Sequence, residues 1–219
     1  MQRRNGRGVG KVNFGGLIGL RPGIRPVTHG APVFQGLAEV RAYWEGLRRD
    51  GGIPGRADLD PRGLSNTLER VFIAERIGTG LVQIRIAGSV LNEVAGMDAR
   101  GLPLSCLFVP EGRAGLASVV DRVFNDPIAA ELHLQSDAAT GRPALQGRLL
   151  LLPLLGSDGA RTLVLGCLGL QGQIGRHPRR FTILRTVQER LLAQIPVSDD
   201  LPAPAERPRC HLRLVHSAD

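Results

Sequence analysis

The side chains that could catalyse a reaction or hold a metal ion are few and scattered along this chain of 219 residues. Cys210, His211 and His216 form a Cys-His-x4-His pattern near the C-terminus. A tetrahedral metal site needs a fourth ligand, which this pattern lacks. Asp58 and Asp60 lie two residues apart, so their carboxylates point in different directions unless a turn brings them together. We therefore expect neither a metal site nor a catalytic pair of carboxylates.

The sequence motifs of common enzyme classes do not occur in the chain. It contains no Gly-x-Ser-x-Gly nucleophile elbow and no Gly-x4-Gly-Lys-[Ser/Thr] loop of the kind that holds phosphates. The glycines of residues 6–10 neither follow a strand pattern nor begin a helix pattern, so they do not form a dinucleotide-binding motif. We expect no enzymatic activity and no catalytic residue.

The basic charge of the chain is concentrated at its N-terminus. The formal net charge is +8, and six cationic residues precede the first acidic residue, Glu39. Residues 1–34 are rich in Gly, Arg and Pro, and such a composition buries too little apolar area to offset chain entropy. We expect a disordered basic arm. It offers an alternative function, as an adaptor that binds nucleic acid or an anionic membrane.

Cysteine usage and hydropathy indicate where the protein is found. Cys106, Cys167 and Cys210 are widely separated and cannot all pair within one molecule, which argues against a secreted disulfide scaffold. No segment approaches the roughly 20 consecutive apolar residues that a membrane-spanning helix needs. We expect a cytoplasmic protein.

Two helical patterns precede the strand-like part of the chain. Apolar residues recur every three or four positions over residues 35–49 and predict an amphipathic helix. Asp60 followed by Pro61 predicts the N-cap and first position of another helix. This second helix is expected to continue as far as Leu68.

Five strand-like runs follow, in two groups. Residues 71–76 and 81–87 are joined by a short connection with glycine, which is typical of a hairpin. A broken helical pattern over residues 89–126 separates them from three more runs, at residues 128–135, 144–155 and 161–171. This order predicts an α+β fold, with a five-stranded antiparallel sheet, a helical insert after the second strand and helices gathered on one face.

An apolar stripe predicts one more helix, over residues 181–195, on Leu184, Val187, Leu191 and Ile195. The expected organisation is a basic arm (1–34), a domain with an N-terminal cap helix (35–175), a C-terminal helix (176–195) and a Pro-rich tail (196–219).

Three short sequence words fall in order along this predicted architecture. They are a Tyr-Trp pair in the first helix, Pro-Gly-Arg-Ala-Asp-Leu-Asp-Pro, and Arg-Ile-Ala-Gly-Ser at the end of the second strand. Together with the order of elements, they resemble the PAS domain family, and within it a near-solitary PAS-like subgroup of alphaproteobacteria. The resemblance covers about residues 39–170. The family positions are Tyr43, Trp44, Pro54, Arg56, Asp58, Asp60, Pro61, Arg85 and Gly88.

The resemblance implies a sensory or regulatory protein that acts through protein contacts. The expected partner is a second copy, in a homodimer, or a histidine kinase or other signalling component. Each family position also has a structural interpretation. Trp44 would bury its ring against the sheet or a second subunit, Arg56 would bridge Asp58 or Asp60, and Gly88 would allow a tight turn from strand to helix.

A PAS core encloses a space between its sheet and its helical insert, where many relatives bind small molecules. Strand alternation and helical spacing predict the residues that line it here: Ile84, Ile86, Leu91, Val94, Leu116, Val120, Leu132, Leu134, Leu163, Leu165 and Cys167. Such a lining suits a small apolar ligand, and it also describes a core filled with side chains. We favour the filled core.

The two cofactors best known in such domains are disfavoured. Cys106 lies in Leu-Ser-Cys-Leu-Phe, without the Asn and Arg that accompany the flavin-binding cysteine, so we expect a buried apolar thiol. His133 lies between Leu132 and Leu134 in a strand, so alternation directs it away from the space that a haem would occupy. A shift of one residue in the strand register would reverse that.

Overall fold

The computed structural model describes residues 34–191. The predicted arm, apart from Phe34, and the Pro-rich tail with Cys210, His211 and His216 lie outside the described residues.

Three α-helices and six β-strands form the described part of the chain. The helices are α1 (Gln35–Leu47), α2 (Ser89–Ala95) and α3 (Arg113–Asn125). The strands are β1 (Val71–Gly78), β2 (Leu81–Ala87), β3 (Ile128–Ser136), β4 (Leu145–Leu154), β5 (Leu163–Gln171) and β6 (Thr182–Arg190). Short 3-10 helices lie at Arg56–Asp58, Pro61–Leu64, Leu68–Arg70, Leu104–Leu107 and Pro110–Gly112. The second predicted helix is therefore two short 3-10 turns.

The strands form one sheet in the order β2-β1-β5-β4-β3-β6, and every neighbouring pair is antiparallel. The predicted α+β class and the antiparallel sheet are confirmed, and the helical insert follows the second strand as expected. The prediction of five strands is wrong, because the sheet has six.

The sixth strand replaces the predicted C-terminal helix. Thr182–Arg190 pairs antiparallel with β3 along its whole length. The apolar stripe at helical spacing was misleading, because β6 also contains four β-branched residues, which favour a strand: Thr182, Ile183, Thr186 and Val187. The free edge of β3 offers backbone partners that local sequence cannot reveal, and pairing with them decides the conformation.

Helices cover both faces of the sheet, so the prediction that they gather on one face is wrong. The inner face packs against α2 and α3, whereas α1 packs on the outer face. Strand β4 is buried on both faces: Leu149 and Leu151 belong to the inner core, and Leu150 and Leu152 belong to the outer core. A strand buried on both faces carries a continuous apolar run in place of alternation.

A β-bulge changes the direction of one predicted core residue. In the β1–β2 pairing, Ile73 lies opposite Ile86 and Ala74 lies opposite Ile84, so Arg85 is an extra residue in β2. Val82 and Ile84 remain in the inner core, but Ile86 faces outward and is 46% exposed. Simple alternation along β2 had placed Ile86 with the other two.

Two glycines in β5 let large side chains lie close to the sheet. A Cβ atom at Gly166 would collide with the ring of Phe72 on the inner face. A Cβ atom at Gly169 would lie 2.5 Å from Cδ1 of Leu37, which belongs to α1 on the outer face. The approach at Gly169 brings α1 into contact with β5, and the approach at Gly166 lets the Phe72 ring lie directly against the inner face.

Candidate functional site

The predicted space between the sheet and the helical insert is filled by side chains. Seven of the predicted lining residues belong to one inner cluster and are at most 2% exposed: Ile84, Leu91, Val94, Leu116, Val120, Leu132 and Leu134. They contact one another as a packed core does. This is the arrangement that we favoured over a ligand-filled cavity.

The remaining four predicted lining residues lie on the outer side of the sheet, which corrects their assignment. Leu165 and Cys167 belong to the outer cluster, and Leu163 packs against it. In their place, Val164 and Leu168 of β5 face the inner core. Strand β5 is apolar or glycine at nearly every position, so alternation gave no means of choosing the face.

On the outer side of the sheet, the three family words come together. The hydroxyl of Tyr43 lies 3.0 Å from the carbonyl oxygen of Asp60, to which it donates, and 2.7 Å from the backbone nitrogen of Asp60. Gly63 lies directly against the Tyr43 ring, with no room for a Cβ atom. These contacts hold the first word against the end of the second.

Trp44 joins the same assembly from the buried side of α1. Its side chain is fully buried, and its indole N–H donates to the carbonyl oxygen of Pro153 in β4 at 3.0 Å. The ring was expected to pack against the sheet or a second subunit, and in the structure it packs against the sheet. The guanidinium of Arg48 lies 5.3 Å from the ring centroid and covers its other side.

The second word lies along the end of β4. The backbone N–H of Arg56 donates to the carbonyl oxygen of Leu155 at 2.9 Å, and a carboxylate oxygen of Asp58 accepts from the N–H of Gly55 at 2.8 Å. Asp60 accepts from the N–H of Arg62 at 2.9 Å, which confirms the predicted N-cap. Within residues 34–191, no ion pair joins Arg56 to either aspartate, so the expected bridge is wrong.

The third word completes the assembly at the end of β2. Arg85 forms an ion pair of 2.6 Å with Glu75 of β1. Gly88 begins α2 as its N-cap, and a Cβ atom there would collide with the backbone of Leu68 and Glu69. The glycine is required by this close approach and not by an unusual backbone angle, since its φ of −70° is an ordinary one.

The second and third words border an apolar depression that we call the outer groove. Its volume is about 130 Å³. The residues that line it are Arg56, Leu59, Pro61, Leu64, Leu68, Val71, Ile73, Ile86, Ala87, Gly88 and Leu165. Leu68 and Ile86 are 43% and 46% exposed, so an apolar surface remains in contact with water.

Sequence reasoning did not find this groove. It assigned several of the right residues to a family motif, but it placed Ile86 in the core and the neighbouring Leu68 in a continuous helix. The available signal was Leu59, Leu64 and Leu68, three leucines in a mostly polar segment. These residues meet at the groove because of a β-bulge and two 3-10 turns, which no local sequence pattern predicts.

The cysteines and His133 have contrasting environments. Cys106 is exposed, so the expectation of a buried apolar thiol at this position is wrong. Cys167 is buried, and desolvation raises the pKa of its thiol to about 12. His133 points away from Leu132 and Leu134, as predicted, and its Nε2 lies 3.3 Å from a carboxylate oxygen of Glu131.

None of the helices within residues 34–191 is both long and apolar enough to cross a bilayer. Among these residues, no three side chains of His, Cys, Asp or Glu are grouped closely enough to hold a metal ion.

A family model described as a PAS domain matches residues 34–169, which is more than half of the chain. The matched range begins just before α1 and ends within β5, so it includes all three words and both sides of the outer groove. No curated protein matches the chain.

Proposed function

Because the chain belongs to the PAS domain family, whose members are sensory and regulatory modules, we propose that it regulates another protein by binding it through the outer groove. The observation that carries the proposal is a water-exposed apolar surface bordered by the second and third words, while the inner core is filled. The same words support a narrower membership, in the near-solitary alphaproteobacterial subgroup.

The apolar floor of the outer groove favours a bound partner. Leu68 and Ile86 are both more than two fifths exposed. Covering apolar surface contributes about 25 cal/mol per Å². A side chain of the partner inserted between them would therefore stabilise a complex.

Charge at the groove indicates the chemistry of the partner. Arg56 lines the groove, and Arg62 is exposed in the next turn. Within the described residues, neither has an ion pair. We propose that the partner presents an apolar side chain next to a carboxylate. A second copy docked groove to groove would oppose like charges, so we assign this surface to a different protein, such as a histidine kinase or another signalling component.

Site-specific photo-crosslinking in the native host tests this proposal. A photoreactive amino acid replaces Leu68 in the groove, and in a matched control it replaces Ile77, which is 48% exposed and lies outside the groove. We expect one identified protein to be crosslinked from position 68 and not from position 77. Adding Arg56→Glu to the position-68 variant should abolish the crosslinked product. With purified proteins, the partner should give the same product with the position-68 variant and no product when Arg56→Glu is also present.

The opposite results are equally clear. Crosslinking that is the same at both positions, or that persists with Arg56→Glu, would remove the outer groove as the contact surface. A product consisting only of a second copy of this chain would replace the proposed partner with a homodimer.

A second candidate function rests on the charge of the N-terminus. Six cationic residues precede the first acidic one. We propose, as the alternative, an adaptor that binds nucleic acid or an anionic membrane through residues 1–34. Its support is electrostatic, so its test is salt dependence.

A further inference from the structure

A buried arginine lies outside the site described above. Arg179, in the connection between β5 and β6, is only 1% exposed. Its Nε donates to Oγ of Ser136 at 3.1 Å, and one terminal nitrogen donates to the carbonyl oxygen of Ile174 at 2.6 Å. The other terminal nitrogen donates to the carbonyl oxygens of Asp137, at 3.3 Å, and Pro143, at 2.8 Å. Every one of these acceptors is uncharged.

The positive charge of Arg179 is therefore not neutralised within the described residues. No carboxylate there lies within 4.0 Å of its guanidinium. Burial, and after it the charge of Arg142, lowers the pKa of Arg179 from its ordinary value. Arginine nevertheless stays protonated in proteins, and a buried charge without a counterion is costly.

Arg179 forms one wall of an open depression that we call the cationic pocket. Its volume is about 430 Å³, within the range of small-molecule sites. The lining residues are Val109, Ser136, Asp137, Ala139, Arg142, Pro178, Arg179 and Arg180. The lining thus includes three arginines and a single acidic residue, Asp137, which is exposed.

Backbone hydrogen bonds hold the arginine-bearing segments in place. Ala139 and Arg142 exchange two such bonds, of 2.7 and 2.8 Å, and the N–H of Arg176 donates to the carbonyl oxygen of Gly141 at 2.7 Å. The Nε of Arg142 also donates to the carbonyl oxygen of Arg176 at 3.2 Å. The remaining guanidinium nitrogens of Arg142 have no ion pair in the described part of the chain, and neither has Arg180.

We propose that the cationic pocket binds a small oxyanion with at least two negative charges, of the carboxylate or phosphate class. Arg142 and Arg180 contact the anion, and Arg179 supplies the buried charge behind them. The planar guanidinium group matches both carboxylate and phosphate oxygens in a bidentate geometry. The pocket shares no lining residue with the outer groove, so this inference does not depend on the proposed protein partner.

Binding is measured with citrate and inorganic phosphate as probes, on the full chain, by calorimetric titration and by the thermal unfolding midpoint. Chloride at equal ionic strength is the reference. We expect a saturable rise of the midpoint with at least one probe. Arg142→Gln and Arg180→Gln should each weaken binding of that probe at least tenfold.

Arg185→Gln is the matched control, because Arg185 is exposed on β6 and its loss changes the net charge equally. Both probes also stabilise proteins non-specifically by exclusion from their surface, and that effect should be identical in all variants. Arg180→Glu should remove the saturable part of the response to either probe. The proposal is overturned if neither probe gives a saturable response, or if the Arg142 and Arg180 variants respond like Arg185→Gln.

Discussion

At the scale of single residues, Trp44 links the family motif to the stability of the fold. Its indole N–H satisfies the carbonyl oxygen of Pro153, and its ring is fully buried between α1 and the sheet. A tryptophan with this environment is a structural residue, and it is unavailable to a second subunit. Its presence in the motif is explained by packing alone.

We predict that Trp44→Phe lowers the free energy of unfolding by about 1–3 kcal/mol, because it leaves the buried carbonyl of Pro153 without a donor. Trp44→Ala should cost about 3–5 kcal/mol, since it also creates a cavity. Urea titration followed by circular dichroism measures both. An unchanged urea midpoint for Trp44→Phe would contradict the buried hydrogen bond.

A second residue-scale prediction concerns alkaline pH. Burial raises the pKa of Cys167 from 9.0 to about 12, so between these values the folded state holds a proton that the unfolded state has released. Stability therefore falls as pH rises through this window, by up to about 1.4 kcal/mol per pH unit. Below pH 9 this thiol makes no pH-dependent contribution.

Urea titrations at several pH values between 8 and 11 measure this dependence. Cys167→Ala should lose less stability than the wild type over that range, whereas Cys106→Ala, at an exposed position, should follow the wild type. The same alkaline loss in all three proteins would show that other groups are responsible.

At the scale of elements, the bulge in β2 decides which side chains reach the outer groove. Arg85 is the extra residue, so Ile84 faces the filled core and Ile86 faces the groove, although the two are separated by an even number of positions. Without the bulge, Ile86 would lie under the helical insert and the groove would lose one of its two exposed apolar side chains. A single irregularity in pairing thus creates a surface.

We predict opposite results for two substitutions of the same type. Ile84→Asp should prevent folding or cost more than about 4 kcal/mol, because it buries an unpaired carboxylate. Ile86→Asp should change stability by less than about 1 kcal/mol, because the side chain is 46% exposed. Thermal unfolding of the two purified variants distinguishes them. Equal losses would mean that β2 alternates without a bulge.

At the scale of the whole molecule, the sheet has two edges, β2 and β6. Strand β6 replaces the C-terminal helix that the sequence predicted. It presents Leu184 and Val187, which are 61% and 41% exposed, along a strand with no further partner among the described residues. Unpaired strand edges of this kind favour association.

We predict a homodimer in solution, with β6 at the interface. Light scattering should give twice the chain mass of 23.5 kDa, and Leu184→Glu should shift the mass towards the monomer because it places a charge in the interface. Ile86→Asp, in the outer groove, is the control that should leave the dimer intact. A monomeric wild type at micromolar concentration would refute the prediction.

The basic arm gives the last prediction at this scale. If residues 1–34 bind nucleic acid or anionic vesicles, affinity should fall steeply between about 50 and 200 mM salt, through loss of counterion release. Deleting residues 1–33 should abolish binding and leave the described fold unchanged. Binding that is insensitive to salt, or that survives the deletion, would exclude the arm as the contact.

Much of this architecture is encoded locally. The helix at the N-terminus of the domain, the first hairpin and the next three strands were predicted to within a few residues, because their apolar periodicity and turn residues act over short stretches of chain. The N-cap at Asp60 followed from two adjacent residues. The PAS family was also predicted, because the order of the elements along the chain can be read from the sequence without knowing how the chain folds.

The features closest to function depend on contacts between distant segments. The faces of β5, the outward direction of Ile86, the identity of β6 as a strand and the charge environment of Arg179 were not predictable from sequence. Each is decided by backbone pairing or burial against residues far along the chain: Cys167 lies opposite Val71, Ile86 opposite Ile73, and Arg179 lies against Ser136. When both faces of a strand are buried, as in β5, alternation of apolar residues cannot show which face a side chain is on. When a strand edge is available, as at β3, pairing with it outweighs a helical pattern, because long-range hydrogen bonding and packing are stronger than local preference.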